Sequence, residues 1–143
     1  MASQNVQIVG AYFEHLDQLL AQYWANPVPL SESPQVEEAF AAISPDAEWK
    51  PPFMREAVRG KDAWLTLLSG WLEAADDWRI SVEDVSDLGG EQVLCISQNA
   101  IRGKDSGVPV HQRIFTVVTV HDALIVLIRD FTEREDALAA AAS

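Results

Sequence analysis

The sequence predicts an α+β domain: a curved antiparallel sheet wrapped around about three N-terminal helices, enclosing a cone-shaped interior, with a short C-terminal helix after it. Two observations predict this. Apolar residues recur every three or four positions in the first half of the chain and every second position from about residue 78 onward, so helices precede strands. The strand candidates 78–87, 92–102, 110–120 and 124–131 are joined by DLGGE, GKDSG and HDA. These connections carry turn chemistry and are short enough to require antiparallel neighbours. With 143 residues the chain is read as a single domain spanning 1–143.

Residues 5–24 read as the first helix, because Val6, Val9, Phe13, Leu16, Leu20 and Tyr23 form one apolar face. Asn26, Pro27 and Pro29 stop it, and NPVPLSESP is a loop. Ser33 is expected to cap a short second helix with Pro34 at its first position and Glu37 and Glu38 near its positive end, finishing near Ser44-Pro45. Ala47–Lys50 is read as a brief strand closed by Pro51-Pro52. Residues 61–75 form the clearest helix, with Trp64, Leu67, Leu68, Trp71 and Leu72 on one face and Gly60 before it. Thr132 to Glu135 spells a capping box that opens the last helix, through Ala142.

Composition narrows the function classes. Hydrophobic residues make up 48% and charged residues 22%, an ordinary globular balance. There are 22 acids against 10 bases, a formal charge of -12. Such a chain repels phosphate backbones and anionic lipid, so neither nucleic-acid nor membrane-surface binding is expected. No signal peptide or membrane span is evident, and a cytoplasmic protein is expected by default. Cys95 reads as a small buried hydrophobe. His15, His111 and His121 are scattered without ligand spacing, so no metal is expected.

Strand parity sorts the polar candidates. Leu124, Val126, Ile128 and Asp130 are expected on one face, where an acid terminating an apolar row must be paired, hydrated or used. Asp130 is therefore either a functional acid/base or the partner of Arg79, Arg102 or Arg113. Val93, Cys95, Ser97, Asn99 and Ile101 share a face of strand 92–102, and Gln112, Ile114, Thr116 and Val118 share one of strand 110–120. Ser97, Asn99 and Gln112 are candidates to orient a substrate oxygen, or simply polar residues near strand ends. Arg113, Phe115, Val117 and Thr119 then form an exposed outer face suited to dimerisation. Tyr12 lies beside the apolar face of the first helix and is either core or a donor into the interior. Trp49, Phe53, Met54, Trp64 and Trp71 are core by default, yet five tryptophans in so short a chain suggest an aromatic-lined cavity, with Ile114 and Ile128 in its wall.

The segments SPDAEW, VRGKDAW, DDWRI, RGKDSG and RDFTEREDAL, in this order, cover most of residues 44–140. In them the chain resembles a SnoaL-like member of the nuclear-transport-factor-2-like superfamily. The resemblance implies a cone fold, a pocket between helices and concave sheet, and frequent homodimerisation through the sheet. The superfamily holds isomerases, epoxide hydrolases, dehydratases, polyketide cyclases, dioxygenase small subunits and non-catalytic binders, so fold alone does not choose. Ile128-Arg129-Asp130-Phe131-Thr132-Glu133 is similar to the last strand of limonene-type epoxide hydrolases and places Asp130 on a catalytic acid. The Arg-x-Asp pair of those enzymes falls on Ser97 and Asn99 here, and their water-holding tyrosine falls near Trp49. Gly10–Glu14 resembles the tyrosine segment of ketosteroid isomerase, with Tyr12 on the match. The base of that enzyme falls near Pro51 and its protonated acid near Gln112 or Arg113. These comparisons leave Asp130 as acid/base and Tyr12, Asn99 and Gln112 as oxygen-polarising groups. The expected activity is a cofactor-free reaction on a small hydrophobic carbonyl, hydroxyl or epoxide compound. A non-catalytic binding or dimerisation module and a dioxygenase-type accessory subunit are the alternatives.

Overall fold

The computed structural model describes residues 3–142. Helix α1, Gln4–Ala25, is capped by the Ser3 hydroxyl, which accepts from the Val6 N–H at 3.1 Å. A 3-10 turn at Leu30–Glu32 and the five-residue helix α2, Gln35–Ala39, follow. Strand β1 is Ile43–Lys50, β2 is Val58–Arg59, and α3 is Lys61–Glu73. The long strands are β3, Ala75–Gly89, β4, Gln92–Gly103, β5, Pro109–His121, and β6, Leu124–Phe131. Helix α4, Arg134–Ala142, ends the described chain.

The six strands form one curved, open sheet in the order β2-β1-β6-β5-β4-β3. The predicted meander from β3 to β6 is antiparallel throughout. The sheet as a whole is mixed, because β1 runs parallel to β6. Three register shifts in the β3–β4 pair break the long ladder. Such bulges raise local twist and bend the sheet around the helices. The concave face holds the main core, in which Val9, Leu20, Val93, Cys95, Val118 and Ile125 are fully buried. Asp17 pins α1 to β3: it accepts from Arg79 through both carboxylate oxygens at 2.9 and 2.7 Å and from the Ile80 N–H at 2.9 Å.

Several expectations are corrected. The second helix is shorter than expected. Pro34, not Ser33, occupies its cap position, and the Ser33 hydroxyl donates to Gln35 Oε1. Ser44-Pro45 does not end it but lies inside β1, where the pairing with β6 is interrupted between Ile43 and Glu48 and no ladder bond is demanded of Pro45. Helix α4 starts at Arg134, inside the Thr132–Glu135 stretch expected as its capping box. The β6 parity is broken by a bulge, since Thr119 pairs Leu127 while Val120 pairs Ile125. Val126 is the extra residue, so Ile125 and Ile128 enter the core while Leu124 is exposed. The outer face is also not open as expected. Leu94, Ile96, Phe115 and Val117 are buried there with Ala137 of α4. Arg129 Nη1 donates to the Ala140 carbonyl at 3.3 Å and fastens the end of that helix.

Candidate active site

A cavity of about 410 Å³ lies between α1, α3 and the concave sheet. Its wall includes Tyr12, Trp49, Trp64, Trp71, Trp78, Ser97, Asn99, Gln112, Ile114, Thr116, Ile128 and Asp130. The period of two in β4, β5 and β6 aims Cys95, Thr116 and Asp130 in one row across three strands, because Cys95 pairs Thr116 and Thr116 pairs Asp130.

Asp130 is held by two neutral donors. The Trp49 indole Nε1–H donates to Oδ2 at 2.8 Å and the Thr116 hydroxyl to Oδ1 at 2.6 Å. The residue is half-buried where it borders the cavity. Burial pushes it above the ordinary carboxylate range, and the bonds from Thr116 and Trp49 oppose that rise. The expected arginine partners are elsewhere. Arg79 pairs with Asp17, Arg113 pairs with Glu83 at 2.9 Å, and Arg102 is exposed. Among the described residues, no Arg, Lys or His lines the cavity.

A second polar group faces the same space. The Trp78 indole N–H donates to Asn99 Oδ1 at 3.0 Å, and Asn99 Nδ2 donates to the Ser97 hydroxyl at 3.2 Å. Ser97 and Asn99 are both buried. With its oxygen accepting from Asn99, the Ser97 hydroxyl proton is left to donate into the cavity. Tyr12 is buried in the wall, edge-on to Phe13 at 5.2 Å. Burial, then the charge of Asp130, hold its phenol protonated well above the usual range. It is a hydrogen-bond donor and not a base. Cys95 is pushed up to about 12, first by burial and then by Asp130 and Asp84, and stays a thiol.

The tryptophans form a chain along the wall. Ring centroids are 5.7 Å apart for Trp64–Trp49, 5.3 Å for Trp49–Trp71 and 6.0 Å for Trp71–Trp78. Edge-on and tilted contacts of this kind suit the aromatic quadrupole. The Trp64 indole donates to the Ala47 carbonyl at 3.1 Å, fixing the inner end.

The cavity lining brings together Asp130, Tyr12, Asn99, Ser97, Gln112, Trp49, Trp64, Trp71, Ile114 and Ile128. Gln112 sits near the open end, with Nε2 donating to the Arg113 carbonyl at 3.2 Å. Phe53 lines the space but is 89% exposed, so it is not core. Pro51-Pro52 lead the chain outward there, and Phe53 has a φ of 69°. Met54 lies outside the cavity lining, and its carbonyl accepts from Lys50 Nζ. Two residues were not anticipated as site residues. Thr116 shares the expected face of its strand with Gln112, and a threonine in a strand carries no signal of a distant carboxylate partner. Trp78 opens the strand candidate 78–87, and nothing near it in sequence points to Asn99 as the partner of its indole N–H. Among the described residues there is no cluster of three His, Cys, Asp or Glu able to hold a metal ion, and no helix long and apolar enough to cross a membrane.

Comparison with known proteins agrees with this architecture. An NTF2-like protein from Burkholderia pseudomallei superposes with a TM-score of 0.71 at 15% identity, covering 96% of this chain and 97% of its own. TerC, co-crystallised with polyporic acid, gives 0.72 at 13% identity over 99% and 100% of the two chains. An epoxide hydrolase of the LEH-like type from M. tuberculosis gives 0.63 at 18% identity over 95% and 87%. At such identities the likeness is one of fold. No curated protein matches the sequence. The SnoaL-like domain profile matches residues 30–128, about two thirds of the chain, from the 3-10 turn into β6. The chain belongs to the SnoaL-like domain family.

Proposed function

We propose that the protein is a cofactor-independent enzyme that moves one proton on a small hydrophobic carbonyl, hydroxyl or epoxide compound, acting in the cytoplasm. The observation that carries this reading is Asp130, a carboxyl in an apolar cavity with two neutral donors and no cation beside it. Burial raises its proton affinity, which suits a carboxyl to general acid and base work.

Ionised Asp130 takes a proton from a carbon next to a carbonyl. The C–H electron pair becomes the new C=C bond of an enolate, and the negative charge moves to the carbonyl oxygen. Donors on that oxygen lower the barrier because they strengthen as charge develops. Ser97, Asn99 and the Tyr12 phenol are the groups for this role, with Gln112 at the open end. The proton then returns from Asp130 to product or to a departing hydroxyl, which gives isomerisation, cyclisation or loss of water. The aromatic wall excludes water and fixes the apolar body. A homodimer through the uncovered part of the outer sheet, around Arg113 and Thr119, is part of the same proposal and is tested by sedimentation.

Asp130→Asn keeps the shape of the side chain and removes the base. In a panel of cyclic ketones, hydroxy ketones and epoxides, turnover by the wild type and its loss in a folded Asp130→Asn protein are expected. Equal turnover by the variant overturns the assignment. Ligand binding without turnover by the wild type favours the alternative, a non-catalytic small-molecule-binding module.

A further inference from the structure

We propose that the cavity selects an apolar organic cation, a protonated amine on an aromatic or alicyclic body, seated between Asp130 and the tryptophan chain. This rests on the reading of the cavity as a ligand site, and not on the reaction assigned to it.

Three features point to a cation. First, the cavity contains one ionisable carboxyl and no basic side chain among its described lining residues. The arginines that could have neutralised Asp130 are committed to Asp17 and Glu83 or stand in solvent. A buried carboxylate without a counter-charge is costly, and a ligand cation repays that cost directly. Second, Asp130 has unused capacity. A carboxylate offers about four lone-pair sites, and Trp49 and Thr116 occupy one on each oxygen. An ammonium group can take the others without displacing either donor. Third, Trp49, Trp71 and Trp78 follow one another at 5.3 and 6.0 Å with Tyr12 in the same wall. Tryptophan is the aromatic ring that attracts a cation most strongly, and desolvation strengthens the attraction.

The wider charge distribution agrees. A chain of formal charge -12 draws organic cations toward any opening and repels anions. The same features exclude other ligand classes. A carboxylate, phosphate or nucleotide would enter a space with no cationic partner and an acid whose ionisation it would oppose. A small inorganic cation would find one carboxylate among rings, too few oxygens for a hydrated metal to exchange its shell.

The test uses three probes of one shape and different charge: 2-naphthylmethylammonium, 2-naphthylmethanol and 2-naphthoate. Each is titrated calorimetrically into the full chain at neutral pH and low salt. The ammonium is expected to bind at least tenfold more tightly than the alcohol, and the naphthoate not to bind. Asp130→Asn should erase the advantage of the ammonium while the alcohol binds as before. The proposal is overturned if the alcohol or the naphthoate matches the ammonium on the wild type, if none of the three binds, or if the preference survives in a folded Asp130→Asn protein. If that variant does not fold, the three-probe comparison on the wild type decides alone. A cation preference without turnover leaves this proposal standing and removes the enzyme, and turnover of neutral substrates with no cation preference does the reverse.

Discussion

Replacing Trp49 by phenylalanine tests the electrostatics of the site with little change in its shape. The six-membered ring remains to contact Trp64 and Trp71, but the indole N–H that donates to Asp130 Oδ2 at 2.8 Å is gone. A hydrogen bond to a charged group contributes roughly 1.5–3 kcal/mol, and here it favours the ionised carboxylate over the neutral acid. Its loss should weaken Asp130 as an acid by roughly ten- to a hundredfold, at about 1.4 kcal/mol per factor of ten. Burial already raises this carboxyl, so the substitution adds to an existing shift in the same direction. The assay is a titration of the Asp130 side-chain carboxyl carbon by NMR, with Asp130→Asn to assign the resonance. Thr116→Val removes the other donor and should act in the same sense. An unchanged or lowered midpoint in Trp49→Phe would refute the reasoning, since it would mean that solvent, and not the indole, stabilises the carboxylate.

Other consequences are open to measurement. Because Asp130 is raised in the folded state, its contribution to stability is fully present below the unfolded carboxyl value and is lost as pH rises through the folded one. Asp130→Asn should therefore melt at a higher temperature than the wild type at neutral pH, and the gap should close in acid; a variant that melts lower at both pH values contradicts this. Asp17 behaves oppositely. Burial raises it, but the Arg79 and Ile80 bonds prevail and lower it, so its contribution is present above the unfolded value and is lost as pH falls through the folded one. Asp17→Ala should cost about 1–2 kcal/mol at neutral pH, a figure kept low because Arg79 is half exposed, and less in acid, as read by urea denaturation. Asp122 and Ala123 form the two-residue turn between β5 and β6 with φ of 50° and 64°. Left-handed backbone costs alanine ~1–2 kcal/mol and glycine little, so Ala123→Gly should stabilise the protein by about 1 kcal/mol after glycine's entropic penalty. Unchanged stability on chemical denaturation would count against strain in that turn.

Much of this was legible because the signals are periodic. Alternation in β4 and β5 put Ser97, Asn99 and Gln112 on the cavity side without any knowledge of the helices that complete the wall. The clearest failures came where a single residue breaks the period. The extra residue at Val126 reverses parity within β6, and no residue type announces it, so Leu124 was assigned to the wrong side. Asp130 lies beyond the bulge, and its register with Thr116 is preserved. Partners distant in sequence were also invisible. Nothing in Trp49 or Thr116 says that both donate to one carboxylate. The arginines near Asp130 in sequence or sheet order suggested an ion pair that the fold gives to Asp17 and Glu83 instead. The outer face of β5 read as exposed because the alanine-rich α4 has too weak an apolar stripe to advertise where it docks.

The parallel pairing of β1 with β6 has a consequence for the order of folding. Helices and hairpins elsewhere are local, but this pairing joins the first strand to the last, and the Trp49–Asp130 bond spans 81 residues. Its loop-closure entropy must be met before any of its contacts form. Non-local pairings of this kind slow folding and come late. The meander from β3 to β6 can form as a chain of hairpins, whereas the carboxylate acquires its indole donor only when β1 docks. The cavity is therefore closed only when β6 is present, and a ribosome-bound fragment lacking β6 carries the donors Trp49 and Thr116 but not the acid they hold. Trp49 sits at that seam, so its fluorescence should report the closing step of folding after the hairpins have already gained their secondary structure.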